Sequence, residues 1–393
     1  MPDALVVTDA DRNQAAAIVS GLSTSDKAAS VIMADGDQLV HSDLLAQYHF
    51  GGVILMATRG VVDGTSGGTP QQVAAVTARL RDQASGDPTG MPPLIGTDQE
   101  YGDVVRLRYG FTAFPGQSQL AAIPDTGTAV ALTGRVAAAA AQELLAVGVT
   151  VNFAPVSDVL PSDGSASAIG TRSYGSDPRR DAKLVAAAVT GYQQAGVAAV
   201  LKHFPGLGRV ATDSHVALPT LGVSCDSWNT HEAVPVRVGV AAGVSMVMTG
   251  HVLLPAVGDN SVPASVSQAV VSELLRGPGL DGCTGMNFSG VTVTDSLQME
   301  PIAGVFSSGQ AAVRALQAGQ DLLLMPVDPA AAVRGIVAAV DSGELPASRL
   351  DQAATSVLAL RLAAARVPRP SLDVIDSVAH RALADKARAA AAG

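Results

Sequence analysis

Lysine is nearly missing from this chain: only Lys27, Lys183, Lys202 and Lys386 occur among 393 residues. No basic run interrupts a net charge of −10, which argues against a nucleic-acid or anionic-membrane partner. No apolar stretch reaches about 18 residues, so no transmembrane segment is expected. The amino terminus lacks the basic, apolar and small-residue succession of a signal peptide. Tryptophan occurs once, which is lean for a lectin that stacks sugars on aromatic rings. No G-x-G-x-x-G follows the first apolar run, which lowers the case for a doubly wound nucleotide-binding sheet. His203, His215, His251 and Asp295 are metal-ligand types and keep a metal-dependent hydrolase open, but the first run lacks the paired histidines that such barrels offer, and neither a metal nor a cofactor is expected.

Two cysteines, Cys225 and Cys283, lie in Gly-, Ser- and Asp-containing segments that read as exposed. The pair is compatible with one disulfide in an oxidising compartment and equally with two reduced thiols. They are too isolated for a zinc site.

What the chain does have is alternation. With 48% hydrophobic residues it can bury a large core, and its apolar runs fall at 31–34, 52–57, 93–97, 149–154, 197–201, 245–249, 291–294 and 321–325. Helical periodicity fills the gaps at 70–84, 128–146, 177–194, 231–242, 266–275 and 308–318. Eight unbroken apolar strands separated by helices imply a parallel sheet covered on its outside, here a single (β/α)₈ TIM-type barrel. After Met325 the pattern is helical only, at 329–340, 347–367 and 374–392. We therefore expect a barrel domain over residues 1–367 and a C-terminal helical extension, 368–393, packed on it.

In such a barrel chemistry belongs at the C-terminal strand ends. Those ends offer Asp98, Asn152, Asp158, Lys202, His203, His251 and Asp295, and Asp321 at the start of the last strand. Any one of them could simply cap a helix; together they suggest a catalytic rim. The richest stretch is Lys202-His203-Phe204-Pro205-Gly206-Leu207-Gly208, which continues through Arg209 to Asp213-Ser214-His215. A lone Asp-x-His reads most simply as a cap and a surface histidine. The whole string, however, resembles the K-H-F-P-G-[HL]-G-x-x-x-x-D-S-H segment of bacterial β-N-acetylglucosaminidases of glycoside hydrolase family 3.

Further segments carry the same resemblance between about residues 30 and 365. Asp98-Gln99-Glu100 through Arg106 is similar to the family's D-Q-E-G-G-R-V-x-R. Asn152 to Asp158, Ile169 to Tyr174, Met248 to His251 and Thr294 to Met299 resemble its N-F-A-P-V-x-D, I-G-x-R-S-[FY], M-T-[AG]-H and [ST]-D-x-L-x-M. The resemblance implies a nucleophile at Asp295 and an acid/base dyad of His215 oriented by Asp213. It also implies sugar-binding roles for Asp98, Arg106, Arg172, Lys202 and His203. The chemistry is coherent without the name. Retaining cleavage needs a carboxylate at the anomeric carbon and a proton donor for the leaving oxygen. A histidine that titrates near neutrality can donate in one step and accept in the next.

The expected activity is a retaining exo-β-N-acetylglucosaminidase on β-1,4-linked N-acetylglucosamine, as in peptidoglycan fragments, acting as a monomer outside the cytoplasm or at the cell envelope. A β-N-acetylglucosaminide phosphorylase remains open, because a neutral histidine does not repel phosphate. So does a non-catalytic glycan-binding barrel, and a cytoplasmic home stays compatible. Tyr101, Asp103, Leu207 and Arg209 depart from the family pattern, and they leave the leaving-group preference undefined.

Overall fold

A computed structural model describes residues 4–40, 42–56, 68–214, 216–258 and 260–393. His215, the expected acid/base, and Ala57, the expected end of the second strand, lie outside the described residues.

The eight apolar runs become eight strands: β1 (Ile32–Asp35), β2 (Gly52–Leu55), β3 (Leu94–Thr97), β4 (Val151–Asn152), β5 (Ala198–Phe204), β6 (Met246–Thr249), β7 (Val291–Thr294) and β8 (Leu323–Leu324). Each pairs in parallel with its neighbour in the chain, in register Met33↔Gly52, Gly52↔Leu94, Gly96↔Val151, Val151↔Ala198, Val200↔Met246 and Met246↔Val291. Ile32↔Leu323 joins the first strand to the last, and the Val293↔Leu322 bridge shuts the remaining gap. The barrel is closed, and closure leaves no sheet edge to protect. Its strands are mostly apolar because they are buried on both faces, with the polar Asp35, Asn152, Lys202 and His203 at or near C-terminal strand ends: side chains fill the inside and helices cover the outside. Gly96 shows how tightly the inside is filled. A methyl at its Cα would stand 2.8 Å from the Phe153 ring and 3.3 Å from the Met33 sulfur, so only glycine lets these two large side chains meet.

The helical runs at 70–84, 128–146, 177–194 and 308–318 appear as Pro70–Gln83, Thr126–Ala146, Pro178–Gln194 and Ser308–Ala318. One expectation needs correction. The helix at 266–275 begins later, at Ala269, and is wound as a π-helix to Arg276. Helix Thr126–Ala146 is long and apolar enough to cross a membrane by length and composition alone, but its apolar face is buried against the protein as that of a core helix. At the carboxyl end, helix Val378–Ala392 docks through His380, whose Nδ1 donates to the buried Glu143 carboxylate at 2.8 Å.

Candidate active site

The parallel strands all deliver their C-terminal ends to one rim, and a cleft opens there. Asp98, Glu100, Arg106, Arg172, Lys202, His203, Asp213 and Asp295 line it. The expected catalytic and sugar-binding residues, His215 apart, are thus gathered around one cavity. Asp213 and Ser214, the residues that lead into His215, stand on its wall.

Asp295 follows β7 directly. Its backbone N–H donates to the Thr249 carbonyl at the end of β6, at 2.9 Å, so the ladder fixes where the carboxylate starts. One carboxylate oxygen accepts from the Ser296 N–H at 2.8 Å. Burial alone would raise this acid. The His203 and His251 rings, the Ser296 N–H and Lys202 outweigh burial and bring it below the usual carboxylate range. It is therefore ionised at neutral pH, the state a nucleophile needs.

Across the cleft the charges interlock. Lys202 Nζ reaches Asp98 Oδ1 at 2.7 Å and Glu100 Oε1 at 2.5 Å, while Arg172 grips Glu100 with two donors at 2.8 and 2.9 Å. Burial would raise Glu100, but Lys202 and Arg172 overcome it and hold the carboxyl at about 2. The same carboxylates keep Lys202 protonated above its ordinary value despite its burial. Arg106 approaches Asp98 at 3.5 Å, and its Nε is buried with no hydrogen-bond partner, a donor left over in a cleft.

Asp158 works from behind. Its Oδ2 accepts from His203 Nδ1 at 2.7 Å, and its Oδ1 accepts from the Leu207 N–H at 2.7 Å. One carboxylate thus sets the imidazole and the start of the glycine loop together. His203 Nε2 then faces the Arg172 guanidinium at 3.5 Å. Strand β5 runs three residues past its expected end and carries Lys202-His203-Phe204 on the barrel itself.

The loop beyond is pinned at its root. Trp228 Nε1 donates to the Pro205 carbonyl at 2.9 Å, Arg209 pairs with the buried Glu232, and a methyl at Gly208 would strike the Val159 carbonyl at 2.0 Å. Arg209, a departure from the family pattern, is a loop anchor here. Asp103, another, is exposed and accepts from Thr171 Oγ1. Leu207 lines the cleft, while Tyr101 is buried edge-on to Phe114 with φ 64°.

Several expected rim residues do not face the cleft. Asn152 clamps the turn after β3, accepting from the Gln99 N–H at 2.9 Å and donating to the Gln99 carbonyl at 3.0 Å. His251 Nε2 donates to the Ser296 carbonyl at 2.8 Å and so braces the segment after Asp295. Asp321 belongs to the opposite end, because a residue preceding a parallel strand lies at the strand's start. There it pairs with Arg276 and, at 2.9 Å, with Arg349. Glu100 escaped selection from the sequence, although a signal existed: it stands two residues from Asp98, and in extended chain such residues share a face. Among the described residues, no group of three His, Cys, Asp or Glu side chains could hold a metal ion.

The cysteines are bonded to each other, and Cys283 is buried rather than exposed. The bond joins the first turn of helix Cys225–Thr230 to the short strand Cys283–Thr284. That helix carries Trp228 and Ser227, both of which hold the glycine loop.

Comparisons with known proteins agree with this geometry. The chain is 35% identical over 260 residues to a beta-hexosaminidase of Stenotrophomonas maltophilia, covering 65% of this chain and 72% of that one. It is 34% identical over 299 residues to beta-hexosaminidase A of Pseudoalteromonas piscicida, covering 73% of this chain but only 47%, about half, of that longer protein. A solved glycoside hydrolase family 3 beta-N-acetylglucosaminidase from a Paenibacillus species superposes with a TM-score of 0.82 at 34% identity, covering 93% of this chain and 68% of that one. The Beutenbergia cavernae beta-N-acetylhexosaminidase superposes with a TM-score of 0.74 at 29% identity, covering 86% and 98%. The model of the glycosyl hydrolase family 3 N-terminal domain matches residues 23–360, all eight strands and the rim they carry; the chain belongs to glycoside hydrolase family 3.

Proposed function

We propose that this chain is a retaining exo-β-N-acetylglucosaminidase that removes terminal β-1,4-linked N-acetylglucosamine, with peptidoglycan fragments as its source. The observation that carries the reading is a half-buried, ionised Asp295 at a strand tip, facing a cleft whose other wall is the Asp98–Lys202–Glu100–Arg172 network. The names of its relatives point to the same class.

In this reading the Asp295 carboxylate attacks the anomeric carbon while His215 gives a proton to the departing oxygen, which leaves as an alcohol. The neutral imidazole then takes a proton from water, and the resulting oxygen nucleophile releases the sugar from Asp295 with retained configuration. Asp213 orients His215. Asp98, Arg106, Arg172, Lys202 and His203 hold the terminal sugar; Lys202 and Arg172 keep Glu100 ionised beside them. Turnover of an aryl β-N-acetylglucosaminide, with at least tenfold less from the matching β-glucoside, is the expected result. Equal rates in phosphate and phosphate-free buffer are expected of a hydrolase; dependence on phosphate would point to a phosphorylase instead.

The disulfide supports an extracytoplasmic or cell-envelope home. We further propose that residues 1–367 form one catalytic domain, which acts as a monomer and carries 368–393 as a docked extension. The His380–Glu143 contact supports that docking. Truncation at 367 should leave an active but less stable enzyme.

A further inference from the structure

The end of the barrel remote from the cleft holds a second cavity, of about 240 Å³. It lies beneath the starts of β3 and β4 and is covered by helix Ala347–Ala365. Arg81, Arg361 and Arg369 line it, and no carboxylate does. Arg361 is committed to the fold: its Nε donates to the Pro92 carbonyl at 3.0 Å and its Nη2 to Asp87 Oδ2 at 2.5 Å. Arg81 and Arg369 form no ion pair with any described residue. The Nη1 atoms of Arg81 and Arg361 are buried without a hydrogen-bond partner.

Asp87 balances Arg361 and Asp82 lies near Arg81, but Arg81 and Arg369 repel each other and no carboxylate lines the cavity itself. Burial and then the charge of Arg369 press the Arg81 guanidinium down to about 10. Pro368 and Pro370 flank Arg369, so its backbone is restricted on both sides. Planar forks of donors with no acceptor suit an oxyanion that accepts several hydrogen bonds at once. The cavity has room for a tetrahedral oxyanion with its water.

We propose that this cavity is a binding site for a phosphate-type oxyanion, inorganic phosphate or a phosphate ester, separate from the catalytic cleft. Calorimetric titration of the full chain with inorganic phosphate, at an ionic strength held constant with chloride, should show one saturable site. Arg81→Gln with Arg369→Gln should weaken it by about tenfold or more while leaving aryl N-acetylglucosaminide turnover unchanged. Arg106→Gln, in the cleft, should leave phosphate binding intact. Repeating the titration with glycerol phosphate separates a free from an esterified ligand, and saturation by either supports the site. The proposal is overturned if the wild type shows no saturable binding, or if binding is lost with Arg106→Gln and kept in the double variant. A phosphate-free melting temperature supplies a second test. It should be equal or higher in the double variant, because a repulsion has been removed; a lower value would make the arginines structural and overturn the proposal.

Discussion

The two halves of the proposed catalytic pair are held in opposite ways. Asp295 continues a strand: its N–H belongs to the ladder, and the carbonyl of the next residue is gripped by His251. Asp213 sits on a loop whose root is fastened by Asp158, Trp228 and Glu232 but whose far part, Ala211 to Asp213, is exposed. The difference matches the two tasks. A nucleophile must meet one carbon at one position, whereas an acid/base must serve first a departing oxygen and then a water. Fixed scaffold and fastened loop are the usual division between such roles.

The sharpest way to break this comparison is Asp295→Ala. With Asp295 as the proposed nucleophile, kcat/KM should fall about 10⁴-fold or more with the melting temperature preserved. A slow fluorosugar substrate should label Asp295 in the wild type, and an adduct mapped to Asp98 would reverse the assignment. Next in size is His215→Ala. Poor leaving groups should slow by about 10² to 10⁴-fold and activated aryl ones far less, with azide restoring part of the aryl rate. Equal slowing of both substrate kinds without rescue would leave the loop only a shaping role.

A third test weakens the fixed wall instead. Glu100→Gln strips the shared counter-charge from Lys202 and Arg172, which should cost about 3–5 kcal/mol of stability and raise KM. Its pH signature follows from sign. The Glu100 carboxyl lies at about 2 in the fold against an ordinary 4.5, so its contribution is complete above about pH 4.5 and disappears as pH falls towards 2. The variant should therefore lose most stability relative to wild type near neutral pH and little near pH 2, as read from chemical denaturation across that range.

The smallest of the expected effects concerns the loop side. Cys225→Ser with Cys283→Ser opens a ring of 58 residues' separation, worth about 4 kcal/mol in the chain-entropy model. Because helix Cys225–Thr230 holds the glycine loop, activity should decline before the barrel melts. Coincident loss of activity and circular dichroism on heating would mean that the loop has no separate stability.

The same division explains what the sequence revealed. Strands and most outer helices were legible because burial on both faces writes unbroken apolar runs and a buried stripe writes helical period, whereas helices Asp9–Ser20 and Thr24–Ser30, ahead of the first strand, were not picked out. Asp295 and Asp98 could be found as polar residues at strand ends. Glu100 and Asp158 could not be assigned so directly. Their importance lies in partners 45 to 102 residues away, and a buried charge looks like a surface one until its counter-ion is known. Asp321 was misplaced because counting polar residues near a strand ignores which end they occupy. The Cys283 segment looks polar, yet its sulfur is buried because the fold turns it inward toward Cys225.

The bridge between Cys225 and Cys283 has one further consequence. Strand β6, with the second half of the connection before it and most of the connection after it, lies inside the covalent ring. A protease that nicks the chain once anywhere from Asp226 to Gly282 therefore produces no separable fragment. The nicked molecule runs as one band until a reductant is added, and its sixth stave stays tethered through whichever side was not cut. A chain with this bond can be cut once across that sector of its barrel and still hold every strand in one covalent molecule.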